Sequence, residues 1–351
     1  MARYKKYIDV DVVTEAKKRI HHVYDIFDSV VVMFSGGKDS LAVLHLVHEV
    51  AQERGIEKVD VVFRDEELIP QSVIDFVDHY RQLPWVNMKY LTVPLESTKF
   101  ILGQSHEYVQ WDNSREWVRP KPEFGINNED LGFPANKTWN QYNTDELMAS
   151  WYKGKVALVN GIRASESLIR YRASVNKLNQ NYINACGAKQ AKLVKPIYDW
   201  EENDIFRYFF DEKIQYCQIY DAQTWNGSEL RVATPLHAEA AKKLDRLATL
   251  DPQLYEQLMI VFPETAVQAR YWREYDRNAL VGTYGQSYAG VFDWCMDNLT
   301  DIGQRTKALN ELKSIEARAI ASPDSYPPDY VLKAFMAGQY KRVIQPMTRK
   351  K

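Results

Sequence analysis

Apolar residues in the first part of the chain follow two alternating patterns. Val30-Val31-Val32-Met33-Phe34 is an unbroken apolar run rich in β-branched Val, which predicts a strand covered on both faces. Val59-Asp60-Val61-Val62-Phe63, Met88 to Val93 and the run from Lys155 to Asn160 read as further strands. Between them apolar residues recur at helical spacing: Ala16, Ile20, Val23 and Phe27; Leu41, Leu44 and Val47; Val73, Phe76, Val77 and Tyr80. Pro70 opens the third of these helices. Asp199, followed by Glu201 and Glu202, reads as the start of another helix, whose buried stripe is Ile205, Tyr208 and Phe209. Strands alternating with helices predict an α/β fold with a doubly wound, mostly parallel sheet.

The alternation stops over about 95–150, which reads as an insertion over the mouth of a site. From Asp221 onward the spacing is helical: Ala233 to Leu250, Pro252 to Val261, Pro263 to Arg277 and Ile302 to Ile320, with Gly282 to Ser287 a loop. The expected organisation is therefore a nucleotide-binding α/β domain at 1–220, carrying the insertion, and a helical domain at 221–351.

Composition narrows the field. Among 351 residues the net charge is −2, so no global basic field points to nucleic acid and any basic surface is local. The 3 cysteines, Cys186, Cys217 and Cys295, lie far apart and form neither a disulfide framework nor a CxxC pair. No apolar leader and no run of about 18 apolar residues is visible, so a cytoplasmic protein without a membrane partner is expected.

The chemistry gathers at strand ends. Ser35-Gly36-Gly37-Lys38-Asp39-Ser40 joins a buried strand to a helix through a turn without large side chains, so backbone N–H groups and the helix dipole converge on one point. Ser35 and Ser40 are donors to phosphate, Lys38 supplies charge, and Asp39 is a Mg²⁺ ligand or a helix cap. The spacing is neither the Walker A pattern nor the dinucleotide fingerprint. Asp65, just past the second strand, is a candidate for Mg²⁺ or a ribose hydroxyl, whereas Glu66 and Glu67 read equally as acids favoured by the next helix dipole. Gly161-Ile162-Arg163 ends a strand with a guanidinium suited to phosphate or sulfate. Arg170, Arg172, Lys177, Lys189, Lys192 and Lys195 follow, and Glu166 is the single acid between Arg163 and Lys195. In the insertion, Trp117 and Arg119 are candidates to stack a base or clasp an anionic substrate, as is Arg172 beyond it; a loop that buries its own tryptophans is an equal reading.

Three landmarks occur in one order: SGGKDS at 35–40, GIRASES at 161–167 and KPIYDWEENDIFRYF at 195–209. Together they resemble the PAPS reductase and ATP sulfurylase branch of the N-type ATP pyrophosphatases, the adenine nucleotide alpha hydrolase superfamily, over roughly residues 28–212. WVRPKPE at 117–123 and RVATPLHAEAAKKLDRL at 231–247 further resemble the phage- and plasmid-borne PAPS-reductase-like proteins of the IbrA type. The resemblance implies ATP and Mg²⁺ as ligands, nucleotide binding by Ser35 to Ser40, Asp65, Gly161, Arg163 and Arg170, and catalysis by Lys38, Asp39 and Arg163. The implied reaction is cleavage of ATP between the α- and β-phosphates. PAPS in place of ATP, or a regulatory nucleotide-binding protein working with a protein partner or nucleic acid, are the alternatives; a homo-oligomer is the expected assembly. One departure stands out. Thiol-dependent reductases of this branch carry Glu-Cys-Gly-x-His, whereas Cys295 sits in Phe-Asp-Trp-Cys-Met-Asp, so thiol-dependent PAPS reduction is not expected. No set of four cysteines exists for an iron–sulfur cluster, and none is expected.

Overall fold

The computed structural model describes residues 9–174, 180–225, 232, 234–272 and 277–347. Lys177 and the first residue of the expected helix from Ala233 lie outside the described residues. The chain divides into two compact units: Met1–Ser97, Val109–Thr234 and Ala248–Gln257 form one, and Thr98–Tyr108, Pro235–Leu247 and Leu258–Lys351 the other.

The first unit is an α/β fold. Helix α1 (Val12–Ile26) leads into β1 (Ser29–Phe34), α2 (Lys38–Glu53), β2 (Val59–Arg64), α3 (Gln71–Arg81) and β3 (Val86–Leu91). A hairpin of β4 (Leu95–Ile101) and β5 (Gln104–Gln110) follows, with Thr98–Tyr108 counted in the second unit, then α4 (Gln141–Ser150), β6 (Val156–Val159), α5 (Leu168–Ser174), β7 (Ile183–Ala185), β8 (Ala191–Val194), α6 (Glu202–Asp211) and α7 (Ile219–Trp225). Six strands form one sheet in the order β3-β2-β1-β6-β8-β7, parallel except for the edge strand β7. The chain builds outward from β1 to β3, then returns to the other side of β1 at β6. The strand order therefore reverses between β1 and β6, where open α/β sheets form a crevice at their carboxyl ends.

β1 explains its own unbroken apolar run. Val30, Val32 and Phe34 pack with Leu41, Leu44, Val73 and Ile205 on one face. Val31 packs with Met148, Leu158 and Ala191 on the other. Covering both faces leaves the strand ends as the place where polar groups meet solvent.

Several expectations need correction. The acids after Asp199 do start α6, but the cap is Glu201, whose N–H donates to Asp204 Oδ2 at 2.7 Å. Asp199 instead receives both terminal nitrogens of Arg19 at 2.7 Å. The insertion is more regular than its sequence suggests, because it holds the hairpin and α4. Leu102 and Gly103 turn the hairpin with φ of 40° and 90°. β7 and β8 are short additions to the sheet that the periodicity does not reveal.

The second unit is helical: α8 (Ala238–Ala241), α9 (Leu244–Leu250), α10 (Pro252–Val261), α11 (Thr265–Tyr271), α12 (Arg277–Tyr284), α13 (Tyr288–Asn298), α14 (Ile302–Ala321) and α15 (Pro328–Met336), with the end of α9 and the start of α10, through Gln257, counted in the first unit. Trp294, Leu312, Ile315, Val331 and Phe335 anchor its core. Gly282, expected in a loop, lies within α12, because Leu280, Val281 and Tyr284 pack on that core and hold the turn helical. Among the described residues no helix is long and apolar enough to cross a membrane.

Candidate functional site

The turn between β1 and α2 is fixed by its own side chains. Ser40 Oγ accepts from Ser35 N–H at 3.1 Å, lies 2.9 Å from Ser35 Oγ, and reaches the Gly37 carbonyl at 3.0 Å. Gly36 has φ +73°, and a Cβ there would stand 2.7 Å from a Val73 methyl of α3, so only glycine fits. Gly37 caps α2 without a side-chain bond, leaving the helix N-terminus directed into the turn. The Lys38 N–H donates to Tyr220 Oη at 2.7 Å, and the Lys38 ammonium sits 5.4 Å from the Tyr220 ring centre.

The segment after β6 meets this turn from the other side of the strand reversal. A Cβ on Gly161 would lie 2.5 Å from the Asp39 carbonyl carbon and 2.7 Å from the Ser40 nitrogen, so the backbones touch there. That contact brings in Arg163, whose Nε donates to Asp39 Oδ1 at 2.5 Å; the Arg163 side chain is nearly buried. Asp39 Oδ2 lies 3.4 Å from Lys38 Nζ, and Glu202 of α6 lies 3.3 Å from the same nitrogen. All three landmarks thus converge. Ser35, Gly36, Gly37, Lys38, Asp39, Ser40, Gly161 and Arg163 form one cluster, with α6 and α7 behind it.

Other candidates are drawn elsewhere. Asp65 follows β2 at the same sheet edge, yet it is fully buried and both oxygens are occupied. Tyr90 Oη donates to it at 2.8 Å, Glu67 N–H at 3.0 Å, and Arg119 forms a short ion pair with it. Burial pushes this carboxyl up, against the Arg119 charge and the Tyr90 and Glu67 hydrogen bonds. A carboxylate so enclosed does not fit as a Mg²⁺ ligand. Arg119 is spent on Asp65 and on the Glu67 carbonyl, at 3.0 Å. Trp117 Nε1 donates to the Asp112 carbonyl at 2.9 Å, and its ring meets Trp111 edge-on at 5.6 Å. The insertion therefore uses its tryptophans and arginine to hold itself together rather than presenting them to a substrate. Arg170 pairs with Glu166 one turn away, and Arg172 lies in the last turn of the same helix, α5. Among the described residues no three His, Cys, Asp or Glu side chains cluster as metal ligands.

A family model described as the phosphoadenosine phosphosulfate reductase domain matches residues 29–277. The chain belongs to this family. The match takes in the glycine turn, the Gly-x-Arg segment and α6. Within the curated proteins, the family member is similar to the uncharacterized protein YbdN of Escherichia coli K12, at 29% identity over 244 residues and 66% of its length. The chain spans only 59% of that relative. Among solved structures it is similar to Candida glabrata FMN adenylyltransferase, at 13% identity and a TM-score of 0.39, covering 62% of each chain. A PAPS reductase from Candida auris gives 13% identity and a TM-score of 0.34, covering 59% of this chain and 84% of the other. The U34-tRNA thiolase NcsA of Methanococcus maripaludis gives 15% and 0.33, covering 74% and 79%.

Three residues of this family member escape a reading of its sequence alone. Tyr220 is nearly buried and its hydroxyl sits on the loop amide; burial raises its pKa, so it stays a neutral phenol. Glu202 reads as an ordinary helix-start acid, yet it faces Lys38. Glu67 is wholly buried and organises the insertion, accepting from Arg115 at 2.8 and 2.7 Å and from the Val118 N–H at 2.9 Å. No local signal marks Tyr220 or Glu67, because each role depends on a partner distant in sequence.

Proposed function

We propose that the glycine turn and Arg163 hold the polyphosphate tail of ATP, and that the protein cleaves ATP between the α- and β-phosphates, transferring the adenylyl group to an acceptor oxyanion. The observation that carries this reading is the contact of Gly161 with the first turn of α2, which sets Arg163 beside Asp39 across the strand reversal. The helix N-terminus and the glycine turn favour an anion, and Lys38 and Arg163 add charge on either side.

On this reading Arg163 exchanges Asp39 for phosphate oxygens when the nucleotide enters. Asp39, released, is placed with those oxygens to hold Mg²⁺, which when bound supplies neutralising charge to the leaving group. The acceptor oxygen attacks the α-phosphorus, the bond to the bridging oxygen breaks, and pyrophosphate leaves with the electron pair. Lys38 and Arg163 stabilise that departing charge, so positioning and electrostatics carry the step without a protein general base. Reduction through a protein thiol is disfavoured. Burial raises all three thiols, Cys295 to about 12, and among the described residues no cationic group offsets this at Cys295.

Titration calorimetry with Mg·ATP tests the reading without knowledge of the acceptor. Lys38→Ala and Arg163→Ala should each weaken binding at least about tenfold, equivalent to about 1.4 kcal/mol. With the acceptor in hand, pyrophosphate release should fall about 10²–10³-fold in either variant. Wild-type affinity in both variants would refute the assignment.

A further inference from the structure

Tyr220 stands where the proposed seat would receive a phosphate oxygen. Its hydroxyl accepts from the Lys38 N–H at 2.7 Å, and Lys38 is the first residue of α2. The same oxygen lies 3.2 Å from the position a Cβ would take on Gly37. The open side of the glycine turn, left bare by the missing side chain, is thus filled by a phenol from α7. The ring also lies 5.4 Å from the Lys38 ammonium, which Asp39 and Glu202 flank at 3.4 and 3.3 Å. Lys38 is held by protein oxygens at both its amide and its side chain.

This contact is one that a phosphate can take over. The first amides of a helix have no partner within it, so an oxygen from outside must meet them. A neutral phenol meets one only modestly, because hydrogen bonds to an ionised acceptor are roughly twice as strong. Burial raises the Tyr220 pKa, so the amide is offered a neutral oxygen rather than a phenolate. Phenol and phosphate compete for one place, about 3 Å from the Lys38 nitrogen. α7 is built to give way. It is 7 residues long, buries Tyr220 and Gln223, and leaves Trp225 90 % exposed at its end.

We propose that Tyr220 gates the nucleotide seat: its hydroxyl holds the Lys38 amide until the β- and γ-phosphates displace it, and the ring then withdraws with α7. The proposal rests on the nucleotide reading above, and inorganic pyrophosphate separates the two in the test. Removing the hydroxyl leaves the Lys38 amide unmet in the free protein but not in the bound one, where phosphate meets it. Tyr220→Phe therefore destabilises the free protein selectively, and a ligand that reaches the amide binds more tightly. A phenol that caps α2 in both states gives no such gain.

Wild type and Tyr220→Phe are titrated by calorimetry with Mg·ATP, with Mg·pyrophosphate and with AMP. Tyr220→Phe should bind Mg·ATP, Mg·pyrophosphate or both at least about threefold more tightly than wild type. AMP has no β- or γ-phosphate and should show no such gain. Equal or weaker binding of both phosphate ligands in the variant overturns the gate, and so does an equal gain with AMP, which would mean a loosened turn. Melting temperatures give a second readout. Tyr220→Phe should melt below wild type when alone, and saturation with either phosphate ligand should narrow the gap; a gap that saturation leaves unchanged overturns the gate. The underlying reading is scored apart. Tighter pyrophosphate binding in the variant, with Mg·ATP bound by neither protein, leaves the gate standing and refutes the nucleotide assignment. Mg·ATP bound equally by both proteins does the reverse. If neither protein binds either phosphate ligand, both proposals fail.

Discussion

Glu67 shows how much one side chain organises. Its backbone is left-handed, with φ 56°, and its oxygens hold the Arg115 fork and the amides of Trp111 and Val118. Glu67→Gln removes the charge and takes the carboxylate from the half-buried Arg115 fork, which should cost about 1–3 kcal/mol. Urea unfolding reads the loss, and new proteolytic cuts within 111–139 would locate it. His45 gives a pH-dependent counterpart. Burial holds its pKa down at about 4, with its ring nitrogen 2.8 Å from Tyr80 Oη. In the unfolded chain it titrates near 6.5, so between these values the unfolded state binds the extra proton and stability falls as pH drops. The wild type should lose up to about 3 kcal/mol more than His45→Gln between pH 7.5 and pH 4, by denaturant midpoint. At this scale the sequence is legible unevenly. Lys38, Asp39 and Arg163 carry their chemistry in their local pattern. The carboxylates of Asp65, Glu66 and Glu67 look alike on paper, and only burial decides that Asp65 and Glu67 are internal struts.

The elements were easier to read than their ends. β1, β2 and β6 are apolar runs flanked by polar turns, and α2 follows a clear stripe, so each is visible without the fold. β7 and β8 are not, because Ile-Asn-Ala and Ala-Lys-Leu-Val are both short and interrupted by a polar residue, whereas the equally short β6 is apolar throughout. α2 matters most to the site, since its first turn is one wall of the cluster. Gly161→Ala places a methyl carbon into that wall and should cost about 1–3 kcal/mol in stability. It should also weaken Mg·ATP at least about tenfold, or about 1.4 kcal/mol. Leu44→Ala, on the buried face of the same helix, should cost about 2–5 kcal/mol without touching the turn. The contrast between stability loss and affinity loss in the two variants tests whether the backbone contact, rather than the helix in general, shapes the site.

On the scale of the molecule, the cluster formed by the three landmarks lies wholly within the first unit. The second unit has its own core, so Phe335→Ala should destabilise it by about 3–5 kcal/mol while Mg·ATP affinity stays within about twofold. Parallel thermal and calorimetric titrations check both halves of that statement. The return of β6 beside β1 carries a further consequence. The turn at Ser35 and the arginine at 163 are far apart along the chain, and they meet only after β2, β3, the hairpin and α4 have been laid down. A growing polypeptide therefore emerges from the ribosome with half a grip and nothing opposite it. On the reading proposed above, nucleotide binding therefore waits until β6 has docked beside β1.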